Sequence, residues 1–194
     1  MVQPLLIVFL ASAFTNNIAL TYFLGLCPFI AISKNQRAAA GMGMAVTYVM
    51  TITAIVNFVI YQGVLVPLGL EYLSFVIFIV VIAGIVQALE MLVERFTPIL
   101  YNSFGIFLPL ITVNCAILGV SLFMILRDYT MAQVVFFSVG SGLGWWLAIA
   151  TMAALRKYLI LSEPLKSLGD AGITVILAGF MALSFFGFTE LLTV

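Results

Sequence analysis

Two cysteines are the side chains in this 194-residue sequence best suited to metal or redox chemistry, and both stand where a helix would be interrupted. Cys27 lies between Gly25 and Pro28, and Cys115 directly follows Asn114. Interrupted helices free backbone groups, which a bilayer tolerates only inside protein or beside a cavity. We therefore expect both thiols to lie away from lipid.

Spacing alone leaves the role of this cysteine pair open. Two thiols can form one disulfide or half of a four-thiolate site shared with another chain. Cysteine is also a small, well-buried residue of ordinary cores, and spacing by itself favours that packing role. No histidine is present, which excludes the usual haem ligand and the commonest general base, so hydrolytic catalysis is not expected.

Polar side chains within the apolar runs form a second group of candidates. Asn114 is the one next to a thiol, where its amide could donate a hydrogen bond to sulfur and tune a redox potential. For the other amides we expect hydrogen bonds between helices. These are Asn16, Asn17, Asn57 and Gln87.

Glu90 is a carboxylate within the third apolar run, about one turn from its end. A carboxylate inside a membrane is a candidate for a cation pathway. If the helix ends early, Glu90 is instead part of a solvated terminus with Glu94 and Arg95.

The composition excludes a soluble protein. Hydrophobic residues make up 65% of the chain, and only seven basic and seven acidic residues are present, whereas soluble domains are about 25% charged. Most of the surface must therefore face lipid. Because the net charge is zero and no basic tract occurs, electrostatic binding of nucleic acid is excluded.

Six apolar runs predict an all-α integral membrane protein with six transmembrane helices in one domain, 1–194. A spanning helix needs about 20 apolar residues. The first and fourth runs are longer and contain the helix breakers Asn16-Asn17, Gly25 and Pro28, and Gly105 and Pro109, so we predict that both are broken. The runs are 5–32, 38–61, 72–93, 99–126, 131–155 and 171–192.

Loop charges predict the orientation, because cytoplasmic loops retain lysine and arginine. The first, third and fifth loops carry Lys34, Arg37, Arg95, Arg156, Lys157 and Lys166. Only Arg127 lies on the other side, so both termini are predicted outside. Two halves of three spans each, about 1–97 and 98–194, must then insert in opposite senses, which makes any repeat inverted. The glycines in 41–43 and 140–144 lack a dinucleotide-binding context and favour close helix packing.

Four segments resemble one membrane protein family. They are FLGLCPF at 23–29, VQALEM at 86–91, GIFLPLITVNC at 105–115 and the Ser33-Lys34 turn. They resemble the A subunit of the Rnf complex and its homologue, the E subunit of the sodium-translocating NADH:quinone reductase. The resemblance covers essentially the whole chain.

The resemblance implies that the chain is one subunit of an ion-translocating oxidoreductase in the prokaryotic inner membrane. Such a subunit is not catalytic alone. The resemblance also implies a homologous partner of opposite topology, namely the Rnf E-type subunit or the quinone reductase D subunit. Cys27 and Cys115 would be half of the ligands of a [2Fe-2S] cluster shared with that partner. Other subunits would carry FMN or FAD and further iron–sulfur clusters, and the complex would move Na⁺ or H⁺.

Two features favour the ferredoxin:NAD⁺ oxidoreductase, Rnf: the short connection 62–70 and the proline directly after Cys27. The segments 127–129 and 140–146 are closer to the quinone reductase subunit, which stays the alternative. A rival from another class is a secondary transporter or channel-like subunit without a redox centre, in which the broken helices bind an ion and the cysteines only pack.

Overall fold

The computed structural model describes residues 4–96, 108–159 and 169–189, and all regular structure in these ranges is helical. The helices are α1 (Leu5–Leu10), α2 (Leu26–Ile32), α3 (Gln36–Ile60), α4 (Ser74–Phe96), α5 (Leu108–Thr112), α6 (Cys115–Leu126), α7 (Met131–Leu159) and α8 (Gly169–Thr189). A π-helical turn, Ala11–Thr15, extends α1, and a 3₁₀ turn, Glu71–Leu73, precedes α4.

Three stretches of the described helices are long and apolar enough to cross a bilayer: Gln36–Leu68, Glu71–Leu92 and Met131–Tyr158. Shorter apolar helices lie at Leu5–Thr15, Leu110–Leu126 and Gly172–Gly187. All six fall within or overlap the predicted runs, which confirms that the described part of the chain is helical and suited to a membrane. The arrangement as six spans in an inverted repeat stays a prediction.

The first run is broken, as predicted, between Thr15 and Leu26. The break begins at Asn16 and ends at Gly25, which has a left-handed backbone conformation with φ of +81°. Pro28 does not interrupt the helix, contrary to expectation. It lies in the first turn of α2, where the backbone N–H that proline lacks has no partner within the helix anyway.

The fourth run is also broken, but at a different residue from the one predicted. Pro109 lies within α5, and the interruption falls after Thr112, at Val113 and Asn114. Asn114 adopts an extended conformation, and its side-chain oxygen accepts a hydrogen bond from the Ala116 N–H at 3.0 Å. The break is therefore the N-cap of a new helix. The predicted breaker Gly105 lies outside the described residues.

The second run does not end at Tyr61, where we predicted a connection over 62–70. A π-helical turn, Tyr61–Leu65, and a short helix, Val66–Leu68, continue α3. Because Pro67 cannot donate to the carbonyl four residues earlier, a locally widened turn accommodates it. The helix ends at Gly69, whose φ is +65°, with the Leu70 N–H bonded to the Leu65 carbonyl oxygen at 3.1 Å.

Helices α3 and α7 form the centre of the molecule and pack along their length, with α1 against α7 and α6 against α3. Glycines permit this approach, as predicted. A Cβ on Gly43 would collide with the Trp146 ring, and one on Gly142 would lie 2.8 Å from the Thr47 Cα. A Cβ on Gly144 would lie 2.6 Å from the Ala13 carbonyl oxygen.

Two of the buried amides make the predicted bonds between helical segments. The Asn57 amide donates to the Ser121 hydroxyl at 2.9 Å, joining α3 to α6. The Asn17 amide donates to the Gly144 carbonyl oxygen at 2.8 Å, joining the first break to α7. Gln87 is exposed and makes no such bond to the described residues, so the prediction was wrong for it.

Candidate thiol site at the two helix breaks

Gly25 determines how the chain enters α2 and approaches Cys115. Its left-handed conformation favours glycine, and the space beside it admits no side chain. A Cβ at this position would lie 2.6 Å from the Trp145 indole nitrogen and 2.9 Å from the Asn114 side-chain oxygen. The backbone of the first break is thus pressed against the second break and against α7.

The Gly25 amide donates a hydrogen bond to the Cys115 sulfur, with 2.9 Å between the amide nitrogen and Sγ. Cys115 is the first residue of α6, and Cys27 follows Gly25 by two residues in the first turn of α2. The structure therefore brings the two cysteine-bearing segments together.

The two thiols differ in exposure. Cys115 is half-buried, whereas Cys27 is exposed on the surface of this chain. We expected both thiols to lie away from lipid. For Cys27 this requires a second chain that covers it.

Two buried donors beside this site have no acceptor among the described residues. They are the Asn114 side-chain amide nitrogen and the Trp145 indole nitrogen. Asn114 uses only its oxygen, in capping α6. Asn114 could be selected from the sequence because it is next to a thiol. Trp145 could not be selected, because it reaches the first break only through the tertiary contact of α7 with that break.

Arg156 is a further residue that sequence reasoning missed. It was counted as a loop charge, but it lies in the last turn of α7 and is only 2% exposed. Its guanidinium donates to the Ile30 carbonyl oxygen at 3.1 Å and to the Ser33 hydroxyl at 2.6 Å. It therefore caps the C-terminal end of α2, the helix that carries Cys27.

Helices α6 and α2 are both shorter than a membrane span. Helix α6 has 12 residues and α2 has seven, so at 1.5 Å per residue their lengths are about 18 Å and about 10 Å, against a hydrocarbon core roughly 30 Å thick. Both cysteines lie at the helix ends next to the breaks. The depth of the site in a membrane stays a prediction.

Glu90 lies within α4, six residues before the helix ends at Phe96. Its side chain is half-buried, whereas Glu94 and Arg95 are exposed. The helix continues to Phe96, but its candidate membrane span ends at Leu92, so both interpretations of Glu90 stay predictions. Within the described ranges, no hydrogen bond or ion pair joins Glu90 to the thiol site.

The described residues do not complete a metal site. Among them, no three or more histidine, cysteine, aspartate or glutamate side chains are close enough to hold a metal ion. Cys27 and Cys115 would supply two ligands, and any further thiolates would come from another chain.

Comparison with known proteins identifies the family. The model of a family described as "Rnf-Nqr subunit, membrane protein" matches residues 5–192. The chain belongs to the Rnf-Nqr family. This confirms the resemblance drawn from the cysteine segments and identifies the chain as a multi-pass membrane protein.

Several relatives of this Rnf-Nqr protein are named as the E subunit of the Na(+)-translocating NADH-quinone reductase. The protein from Aeromonas salmonicida is 50% identical over an alignment of 184 positions that covers 92% of this chain and 93% of the relative. The Shewanella denitrificans protein is 47% identical over 188 positions, with the same two coverages. The Hahella chejuensis protein is 45% identical over 199 aligned positions, gaps included, covering 97% of this chain and 98% of the relative.

Proposed function

We propose that this chain is a membrane subunit of a redox-driven sodium pump of the NADH:quinone reductase type, and that it passes electrons through a [2Fe-2S] cluster shared with a second subunit. The proposal depends on one observation, the hydrogen bond from the Gly25 amide to the Cys115 sulfur. Gly25 lies two residues before Cys27 in the chain, so this bond joins the segments that carry the two cysteines. Two sequence features favoured the Rnf complex. The names of the relatives favour its alternative, which we adopt.

The residues at the two breaks fit such a cluster. The segments that carry the two cysteines are in contact, because the Gly25 amide, two residues before Cys27, donates to the Cys115 sulfur. The exposed thiol of Cys27 is accessible to a group held jointly with another chain. Unpartnered donors on Asn114 and Trp145 match the need of negatively charged sulfurs for hydrogen bonds.

Cys27 and Cys115 would hold iron as thiolates, and the cluster would supply one-electron transfer when bound. The chain's own groups prepare this place. The Gly25 amide stabilises negative charge on Cys115, and the N-terminus of α6 adds a favourable dipole. Arg156 holds α2 in the position from which Cys27 reaches outward.

Exposed apolar side chains at both breaks support a membrane partner. Phe23 is 47% exposed and Val113 is 71% exposed, and each lies in irregular backbone. Lipid does not cover irregular backbone, because its polar groups need partners. We propose that a homologous subunit of opposite topology covers this face and contributes two further cysteines.

The two halves of the chain have a common plan that supports the proposed inverted repeat over 1–97 and 98–194. Each half has a broken helix that carries a cysteine and is followed by a long helix, α3 or α7. These two long helices pack against each other. Arg156 also bonds Ser33, so the end of α7 and the turn after α2 share one side of the membrane, which we propose is the cytoplasm.

Ion coupling follows from electrostatics at the thiol site. Negative charge that accumulates there lies in a low-dielectric region, where it attracts a cation far more strongly than in water. We propose Na⁺ as that cation and the half-buried Glu90 as a carboxylate on its path. Coupling requires that reduction of the cluster stabilises one of two arrangements of the helix breaks more than the other. A bound group shifts a conformational equilibrium only when its interaction free energy differs between the two states.

Electron flow in cysteine variants tests the proposal against a transporter and a scaffold. In the assembled complex, we expect C27S and C115S to abolish NADH-driven quinone reduction and sodium transport together, with assembly intact. A transporter or scaffold in which the cysteines only pack would keep electron flow in both variants, which would contradict the proposal.

A second assay separates the two complexes. The quinone reductase assignment predicts NADH oxidation with quinone as acceptor in membranes that contain the complex. Reduction of NAD⁺ by reduced ferredoxin, dependent on this chain, would instead support the Rnf assignment.

A further inference from the structure

Trp145 carries a buried donor without an acceptor in the described part of this chain. Its side chain is wholly buried in the middle of α7, and its indole nitrogen makes no hydrogen bond to the described residues. Burying a polar group without a partner costs free energy. A phenylalanine would fill a similar space without that cost, so the indole N–H points to an acceptor outside the described part of the chain.

The position of the indole nitrogen indicates what that acceptor is. A Cβ on Gly25 would lie 2.6 Å from it, so the nitrogen touches the residue whose amide is bonded to the Cys115 sulfur. The Asn114 side-chain oxygen lies on the same side of Gly25, and the Asn114 amide nitrogen is also buried without a partner among the described residues. The Gly25 amide thus donates to the Cys115 sulfur, and two side chains with unused N–H donors meet at Gly25.

We propose that Trp145 is a positioning residue that sets a reduction potential, because its indole N–H donates to sulfur of the iron–sulfur centre held at Cys115. This inference rests on the proposed function. A donor to sulfur stabilises the reduced, more negative state and therefore raises the potential. The acceptor is an anionic sulfide of that centre, because the indole makes no hydrogen bond to the Cys115 sulfur itself.

Trp146 provides a matched control. It is the next residue of α7, and it also packs on a glycine. Its indole nitrogen is likewise buried without a partner among the described residues. That glycine is Gly43 of α3, which is not part of either break. The two tryptophans therefore differ in whether they contact the thiol site.

The test is a redox titration of the assembled complex, followed by electron paramagnetic resonance. We expect W145F to lower the midpoint potential of the centre by about 59 mV, which corresponds to a tenfold change in the one-electron equilibrium constant. W146F should leave it unchanged. A W145F complex with normal iron content and the potential of the W146F complex would overturn the inference.

Isotope labelling gives a second measurement that does not depend on W145F folding. Because the chain has only two tryptophans, W146F grown with ¹⁵N-tryptophan carries label in this chain at Trp145 alone. We expect a ¹⁵N coupling to the reduced centre in pulsed spectra of this variant, and its absence would overturn the inference. Absence of any iron–sulfur signal in the unmodified complex would instead reject the proposed function itself.

Discussion

At the scale of single residues, the decisive contacts converge on Gly25. Its amide is bonded to the Cys115 sulfur, and the space beside it is filled by Trp145 and Asn114. Both the left-handed backbone and the lack of a side chain are therefore required at this position.

Substitution G25A tests this requirement. An L-residue in the left-handed region costs roughly 1–2 kcal/mol, and the new methyl group would also displace Trp145 or Asn114. We expect the variant complex to melt at lower temperature and to lose most of its iron–sulfur signal. G69A is the matched control, because Gly69 has a φ of +65° but no atom within 4 Å of its Cβ position. Equal effects of both substitutions on iron would contradict the account.

The sequence was informative about residues whose neighbours along the chain reveal their role. Cys27, Cys115, Gly25 and Asn114 could be selected because each stands beside a helix breaker or a thiol. Trp145 could not be selected in this way, because it contacts the site only where α7 crosses the first break. Arg156 had the same difficulty, since a positive charge near a helix end is usually solvated.

At the scale of elements, α2 is a short helix held at both ends. Gly25 fixes its start, and Arg156 donates to Ile30 and Ser33 at its end.

R156M should therefore loosen α2 and make Cys27 more accessible in the assembled complex, where we propose that a partner subunit covers it. Hydrogen bonds from a charged group contribute about 1.5–3 kcal/mol, and methionine keeps much of the volume without a donor. We expect faster alkylation of Cys27 in the assembled complex and lower iron content. K157M is the control, because Lys157 is adjacent and exposed. Alkylation at the unmodified rate in R156M would show that α2 does not depend on this cap.

The π-helical turn that extends α1 approaches α7 at Gly144, where a methyl group would meet the Ala13 backbone. Because backbone atoms cannot move aside easily, we expect G144A to destabilise the protein by about 1–3 kcal/mol. G84A, on an open face of α4 with no atom within 4 Å, should instead be neutral or stabilising by about 0.5–1 kcal/mol. Thermal melting in detergent would measure both, and a stable G144A variant would contradict the packing described.

Hydrophobic periodicity and length predicted where helices lie better than where they end. The run over 38–61 was recognised from composition, but the helix continues through Pro67 because a π-helical turn absorbs the missing donor. The fourth run breaks at Asn114 rather than at Pro109, because a side-chain cap starts a new helix there. The residue at which a helix ends depends on where side-chain caps or altered turns replace the regular backbone hydrogen bonds. Composition contains little information about where this happens.

At the scale of the whole molecule, the contact between Arg156 and Ser33 links the orientation to the fold. It brings together two of the positively charged segments from which the cytoplasmic side was predicted.

Single cysteines introduced into a C27S/C115S background test the orientation. We expect K34C to react with a membrane-impermeant maleimide only from the cytoplasmic side, because the positive-inside rule places this turn there. D128C, on the exposed turn after α6, should react only from outside. Reaction of both positions from one side would contradict the proposed topology.

The central claim is that Cys27 and Cys115 of this chain jointly hold an iron–sulfur cluster with a second subunit. Its most direct measurement is the paramagnetic signal of the chain purified with its homologous partner and chemically reduced. The account predicts one [2Fe-2S] signal per pair of subunits, lost in C27S and in C115S while the two subunits still copurify. The same signal in both variants, or none in the unmodified pair, would contradict it.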